Sequence, residues 1–369
     1  MKAIALIPGT TSLRLVDRPE PRVHAPTEVK LRVLQVGICG TDREEACGGR
    51  AEVPPGQSEL VIGHEMFGKV VETGSAVRSV EPGDYAVFTV RRGCGHCPAC
   101  AKNRSDLCES GDYTERGIRR RDGYQTEFVV DEEQYLVKVP CEIVAVGVLA
   151  EPMSVAEKAI DEALQIQMAR LPDATEPEQW LQGKRVLIAG LGPIGLLAAV
   201  ALQLRGAQVL GLDIVDPDTA RPRLLARIGG TYVGGPHVKA DTLGEHFGQI
   251  ALIFEATGVA ALEFDLLSAL GTNGVYVLTG IPGGDRPVNV QGATLMRQLV
   301  LGNQVLVGSV NASIRHFAMG VEDLTRARQL WGDAVDAVIT HRHPYQKFAE
   351  ALSRHEADEI KSVIEWARP

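Results

Sequence analysis

The spacing of apolar positions changes twice along the chain. From Lys2 to Pro140 they fall in short β-branched runs broken by Gly, Pro and Asp: VKLRVLQVGIC, MFGKVVETG, GDYAVFTV and EFVVDEEQYLVKV. Such runs predict an all-β unit with long loops. After Glu151 the period becomes helical, with SVAEKAIDEALQIQMARL followed by a polar, proline-containing linker from Pro172 to Pro177. From Lys184 onward, strand-like runs alternate with helical stretches: RVLIAG, QVLGLD, TYVGG, IALIFEATG, GVYVLTG and LVLGNQVLVG. That alternation implies parallel strands joined by crossover helices. Near the end, HFAMGVEDLTRARQLW and FAEALSRH read as amphipathic helices able to fold back on the first unit.

Length and charge narrow the picture. A chain of 369 residues exceeds one ordinary core, so two domains are expected. Hydrophobic residues at 45% and charged residues at 23% suit a globular protein without extended disorder. The formal charge is −9 and no basic tract is long enough to follow a phosphate backbone, which argues against nucleic acid as a partner. The one basic run, Arg119 to Arg121, reads as a solvated loop. The opening segment loses its apolar character at Pro8, unlike an export signal, so a cytoplasmic location is expected. Val186 to Leu204 carries no charge and is almost long enough to cross a bilayer, but its glycines and proline suit a turn better, and no membrane partner is expected.

That same stretch holds the dinucleotide signal. Gly190, Gly192 and Gly195, with Leu191 and Ile194 among them, form G-x-G-x-x-G between a strand and a helix, and Asp213 ends the next strand. Glycines allow a tight turn, close approach of the pyrophosphate and close helix packing, while the helix N-terminus meets the phosphates. Asp213 would bond the ribose 2′-hydroxyl, which favours NAD; Arg221 and Arg223 can soften that preference towards NADP.

Cys94, Cys97, Cys100 and Cys108 are spaced C-x2-C-x2-C-x7-C. In a long chain without an export signal this spacing predicts a closed zinc site rather than disulfides, with His96 as an alternative ligand. A closed site stabilises a loop and does no chemistry. Further ligand types lie in three separated fragments: Cys39 in GICGTD, His64 and Glu65 in GHE, and Glu151 in LAEPMSV. Each alone is a weak signal, since a lone Cys is more often buried and a lone His a satisfied surface group. Cys47 and Cys141 read as structural, and His341 and His343 in THRHP as part of a solvated loop. Glu157 would either reach the pocket or make an exposed pair on its helix.

Taken together, G-x-C-G-T-D, G-H-E, the cysteine lobe, E-P-x-S and the glycine motif follow the order found in the zinc-dependent medium-chain dehydrogenase/reductase superfamily, which the chain resembles over essentially its whole length. The fragments TVRRGCGHC, GDYTERGI, EPMSVAEKAI, EATGV and VGSVNASIRHF look like its microbial glucose 1-dehydrogenase branch. The resemblance implies an α/β architecture: a GroES-like catalytic domain over 1–153, a Rossmann doubly wound parallel-sheet domain over 154–309, and a segment over 310–369 returning to the first, with the active site in the cleft between domains. It implies catalytic zinc held by Cys39 and His64, with Glu65 or Glu151 completing the set and Asp42 orienting the His64 ring. Thr41 matches the proton-relaying hydroxyl, Glu115 and Asn311 match sugar-binding positions, and Thr257 and Leu278 lie along the nicotinamide half. The implied activity is NAD(P)-dependent oxidation of an aldose, glucose foremost, at C1 to the lactone. A polyol or secondary-alcohol dehydrogenase is the alternative, and a non-catalytic nucleotide-binding protein a reading from another class. The resemblance also implies a homo-oligomer, dimer or tetramer.

Overall fold

The computed structural model describes residues 1–234, 240–356 and 358–368. Gly235, the last residue of the TYVGG run, lies outside them. The chain divides into two compact units, one of residues 1–154, 311–325 and 339–369, the other of residues 155–310 and 326–338.

In the first unit, the long strand Glu28–Ile38 organises everything else. It pairs antiparallel with Glu65–Thr73 on one side and with the C-terminal strand Lys361–Glu365 on the other, and Phe128–Glu132 also pairs with it. The sheet continues through Tyr85–Phe88 and Leu136–Val139 at one edge and Ile339–Pro344 at the other. Two smaller three-stranded sheets complete the unit. The predicted β-rich first half and its long loops are therefore observed.

THRHP forms the strand Ile339–Pro344 instead of the expected loop. Its backbone is drawn into the sheet by parallel pairing with Lys361–Glu365, a partner some twenty residues away that local pattern does not reveal. The imidazoles of His341 and His343 stack on the same face, with centroids 6.3 Å apart.

The second unit is a six-stranded sheet in the order Thr231–Gly234, Gln208–Asp213, Arg185–Ala189, Ile250–Glu255, Leu270–Leu278, Val305–Gly308, with every pairing parallel. That order is the doubly wound arrangement, in which ligands bind beyond the strands' carboxyl ends. Leu187, Leu210, Ile253 and Tyr276 fill one contiguous core, as expected where helices cover both sheet faces. The run LVLGNQVLVG is not one strand: its start closes the helix Gly292–Leu301 and only Val305–Gly308 is extended. Gly302 and Asn303, the latter with φ 47°, make the break that the apolar residues on either side conceal. No helix among the described residues is long and apolar enough to cross a membrane.

The run Arg119–Arg121 also departs from expectation. Arg120–Arg121 is a short strand, and Arg121 reaches Asp131. Asp131 is only 3% exposed and accepts from Arg92 Nη2 at 2.7 Å, Arg116 Nε at 3.0 Å and Arg121 Nη2 at 3.3 Å. Burial opposes its charge, but the arginines prevail and hold the carboxyl well below its usual range. A carboxylate so depressed contributes stability that is fully present above its unfolded pKa and is lost as pH falls through the folded one. Removing the charge would strand two buried guanidinium groups, so Asp131→Asn is expected to cost about 3–5 kcal/mol at neutral pH. Urea titrations should show the gap between wild type and variant narrowing below about pH 4.

Candidate active site and metal centres

Cys39 follows directly on the strand Glu28–Ile38 and caps the helix Gly40–Ala46. Asp42 closes the turn by accepting from the Cys39 amide at 2.9 Å, so the sequence C-G-T-D is itself a capping box that fixes where the thiol points. His64 immediately precedes, and Glu65 opens, the adjacent strand Glu65–Thr73, whose first residue lies opposite Gly37. Thr41 sits half-buried in the first turn of the same helix.

The result is a buried meeting point. Cys39 Sγ lies 3.1 Å from His64 Nε2, and ligand atoms of Cys39, His64 and Glu65 all fall within 4.8 Å of one another. Burial and the Asp42 carboxylate push the Cys39 thiol up, against the pull of His64. Burial works against a charged His64 ring, yet Cys39 and Asp42 raise it well above its ordinary value. His64 Nδ1 and Asp42 Oδ1 are buried without a hydrogen-bond partner and 3.7 Å apart. A half-buried thiol beside a buried imidazole and a buried carboxylate, with their donor atoms this close together, fits a borderline-soft divalent cation such as zinc.

Glu151 stands outside that three-atom cluster but shares its field. It lies in the first turn of the helix Ala150–Arg170, where the helix N-terminus favours an acid. Ser154 Oγ donates back to the Glu151 carbonyl at 2.6 Å, which accounts for the serine of E-P-x-S. Burial pushes the Glu151 carboxyl up to about 7, with His64 pulling it down and Glu65 adding to the rise.

Two features of this pocket carry no signal in the sequence. Lys361, 2% exposed on the C-terminal strand, donates to Glu65 Oε1 at 2.5 Å and pairs with the other oxygen as well. Glu45 is fully buried behind Asp42, neither oxygen has a hydrogen-bond partner, and burial pushes it up to about 8.

The two residues assigned to sugar hydroxyls touch each other: Asn311 Nδ2 donates to Glu115 Oε1 at 2.8 Å, and Arg91 Nε donates to the same oxygen at 3.0 Å. Arg91 is in turn held over the Tyr113 ring at 4.0 Å. Gly117, two residues beyond Glu115, packs against Gly63 so closely that a Cβ would sit 2.4 Å from the Gly63 carbonyl. Glu115 is thereby carried towards the GHE segment.

The four lobe cysteines also converge within 4.8 Å, and Cys94 and Cys100 lie 3.9 Å apart. A tetrahedral zinc with bonds of about 2.3 Å has sulfur–sulfur edges of about 3.8 Å, so the lobe already has zinc dimensions. His96 is exposed and turns its Nδ1 to the Cys94 carbonyl, which leaves the cluster all-thiol. Cys47 and Cys141 are exposed rather than packed inside. Glu157 follows neither reading made of it: it is fully buried in the nucleotide unit and pairs with Arg205 at 2.7 Å.

At the dinucleotide motif, Gly192 caps the helix Pro193–Leu204, and a Cβ on Gly195 would lie 1.8 Å from the Gly190 carbonyl, so the helix can approach the strand only without one. Ile194 lies in the first turn, and Leu191 donates its amide to Asp213 Oδ2 at 2.8 Å. Arg221 stands 3.5 Å from the same carboxylate. Leu278 ends its strand, and Thr257 lies in the loop just after the adjacent parallel strand Ile250–Glu255.

Comparison with known proteins gives a consistent picture. Residues 25–141 match the alcohol dehydrogenase GroES-like domain family, and residues 144–366 match the glucose dehydrogenase C-terminus family. The chain is 39% identical over 367 residues to glucose 1-dehydrogenase 2 of Vulcanisaeta moutnovskia, covering 99% of each, and 40% identical over 370 residues to glucose 1-dehydrogenase 1 of Caldivirga maquilingensis, again covering 99% of each. Among solved structures it is similar to a Haloferax mediterranei glucose dehydrogenase in complex with NADP, zinc and gluconolactone, at 31% identity and a TM-score of 0.88 over 100% of both chains.

Gly37 offers a test of the metal centre. A Cβ there would lie 2.0 Å from Glu65 Oε2 and 2.9 Å from Lys361 Cε. Gly37→Ala is expected to weaken zinc at the Cys39 site by about 10–100-fold while the lobe keeps its metal. Metal analysis after dialysis should find about one zinc per chain against about two in wild type.

Proposed function

The chain belongs to the zinc-dependent medium-chain dehydrogenase/reductase superfamily, in its glucose 1-dehydrogenase branch, and on that premise we propose that it oxidises an aldose, glucose foremost, at the anomeric C1 hydroxyl. The products are the aldonolactone, the reduced nicotinamide cofactor and one proton. The observation that carries this reading is the convergence of Cys39, His64 and Glu65 in one buried place.

Bound by these residues, zinc would polarise the anomeric hydroxyl as a Lewis acid. The chain supplies everything else. Asp42 holds the Cys39 turn through the amide and faces the His64 ring, which keeps both donors aimed inward. Thr41 accepts the C1 hydroxyl proton and passes it towards solvent as the C1 hydride leaves for the nicotinamide C4. Glu151, whose carboxyl is pushed up to about 7 by burial, adds a further polar group within the field of His64 and Glu65. Glu115 and Asn311 meet ring hydroxyls, since each buried substrate hydroxyl without a partner would cost about 1–3 kcal/mol.

Both cofactor forms fit the nucleotide unit. Asp213 offers an acceptor for a ribose 2′-hydroxyl, and Arg221 beside it offers a cation for a 2′-phosphate. Cytoplasmic residence suits a lobe whose four thiols must stay reduced to bind metal. A homo-oligomer is supported by the exposed apolar side chains of the helix Gly292–Leu301, where Val300 and Leu301 are each 75% exposed and Met296 57%, and of the edge strand that follows it, where Leu306 is 45% exposed.

Steady-state turnover across aldoses and polyols, with NAD and NADP in parallel, tests the substrate class. Glucose or a close aldose is expected to exceed sorbitol in kcat/KM by about a hundredfold or more, the discrimination a site built to bond hydroxyls achieves. Turnover of polyols with inactivity on every aldose would instead assign the chain to the polyol or secondary-alcohol dehydrogenases.

A further inference from the structure

We infer that Glu255 is the positioning residue of the nicotinamide side of the cofactor site, acting through the two loops it ties together, one of which packs on the phosphate turn. The inference rests on the dinucleotide reading of the second unit. Glu255 ends the strand Ile250–Glu255 and is 0% exposed, an unusual place for a carboxylate. Among the described residues it pairs with no cation. Instead it is surrounded by donors from its own loop and the next: Oε1 accepts from the Thr257 amide at 2.5 Å, the Thr257 hydroxyl at 2.5 Å and the Gly258 amide at 3.0 Å, while Oε2 accepts from the Gly280 amide at 3.2 Å. Its carbonyl takes the Thr279 amide at 3.0 Å and the Thr279 hydroxyl at 2.6 Å.

One residue therefore fastens the loop after its own strand to the loop after the strand Leu270–Leu278. The fit leaves no slack, because a Cβ on Gly280 would lie 2.2 Å from the Gly258 amide nitrogen and 2.5 Å from Glu255 Oε2. The third loop is the phosphate turn. A Cβ on Gly190 would lie 2.9 Å from Thr257 Cγ2, and the Ala256 amide donates to the Ala189 carbonyl at 2.8 Å. These are the carboxyl ends of three neighbouring parallel strands, where a doubly wound sheet binds its ligand. Asp213, on the far side of the central strand, shares none of these hydrogen bonds, so the adenosine end has its own support.

The carboxylate is required rather than an amide. Gln at this position keeps one acceptor but turns an NH2 group on amides that also donate, which breaks the Gly280 bond or the Thr257–Gly258 set and frees one loop.

The test compares Glu255→Gln with wild type, both as zinc-loaded full-length enzyme, using NADH and 5′-AMP as probes. NADH binding by fluorescence titration is expected to weaken by about tenfold or more, with loss of the blue-shifted emission of the bound nicotinamide, while 5′-AMP affinity by calorimetry stays within about twofold. In turnover, KM for NAD should rise while KM for glucose holds. Parallel loss of NADH and 5′-AMP binding, or no loss of either, would overturn the inference. If the glutamine variant does not fold, Gly280→Ala, which keeps the carboxylate and parts the same loops, should give the same split, and its failure to do so also overturns it. Wild-type enzyme that binds neither probe would reject the dinucleotide reading itself, a separate outcome.

Discussion

Buried negative charge is the constraint on which the catalytic unit turns. A thiol, a glutamate and an aspartate lie within reach of one imidazole in the interior of a β domain, with Glu151 adding its field, and no apolar core could stabilise that set by itself. Lys361 supplies part of the compensation from the last strand, which explains why the C-terminal segment must thread back beside Glu28–Ile38. The remaining deficit sits at Cys39 and His64. A divalent ion held there would close it, and the same ion would supply the Lewis acidity that activates a hydroxyl.

A single strand delivers most of this arrangement. Glu28–Ile38 ends at Cys39, carries Gly37 opposite Glu65, and pairs with the strand that brings Lys361. A side chain at position 37 would occupy the space that Glu65 and Lys361 share, so the register of one strand decides whether the carboxylate can reach the others. The second buried-charge problem, at Asp131, is solved differently, with guanidinium groups in place of a metal. The nucleotide unit offers a third arrangement at Glu255, where amide and hydroxyl donors of the described residues surround the carboxyl group.

Much of this was legible before any fold was known, and for a physical reason. Gly190, Gly192 and Gly195 and the cysteines from Cys94 to Cys108 are local patterns, in which spacing itself encodes geometry. The alternation of strand and helix after Lys184 likewise predicts the parallel sheet that is observed. Cys39, His64 and Glu65 could be assembled only through resemblance to a family, because nothing local joins fragments that far apart. Lys361, Asp131 and Glu255 escaped notice because a buried charge looks like any other charge until its distant partner is known. THRHP and LVLGNQVLVG were misjudged for the converse reason: long-range pairing made one a strand, and an αL asparagine split the other.

An ion at the Cys39 site is what the proposed chemistry depends on, and anomalous diffraction at the zinc absorption edge detects it without reference to activity. Crystals of the full-length protein grown with zinc should show a peak among Cys94, Cys97, Cys100 and Cys108 and a second about 2.3 Å from Cys39 Sγ and about 2.1 Å from His64 Nε2. A strong peak in the lobe with none near Cys39 and His64 would contradict the central claim.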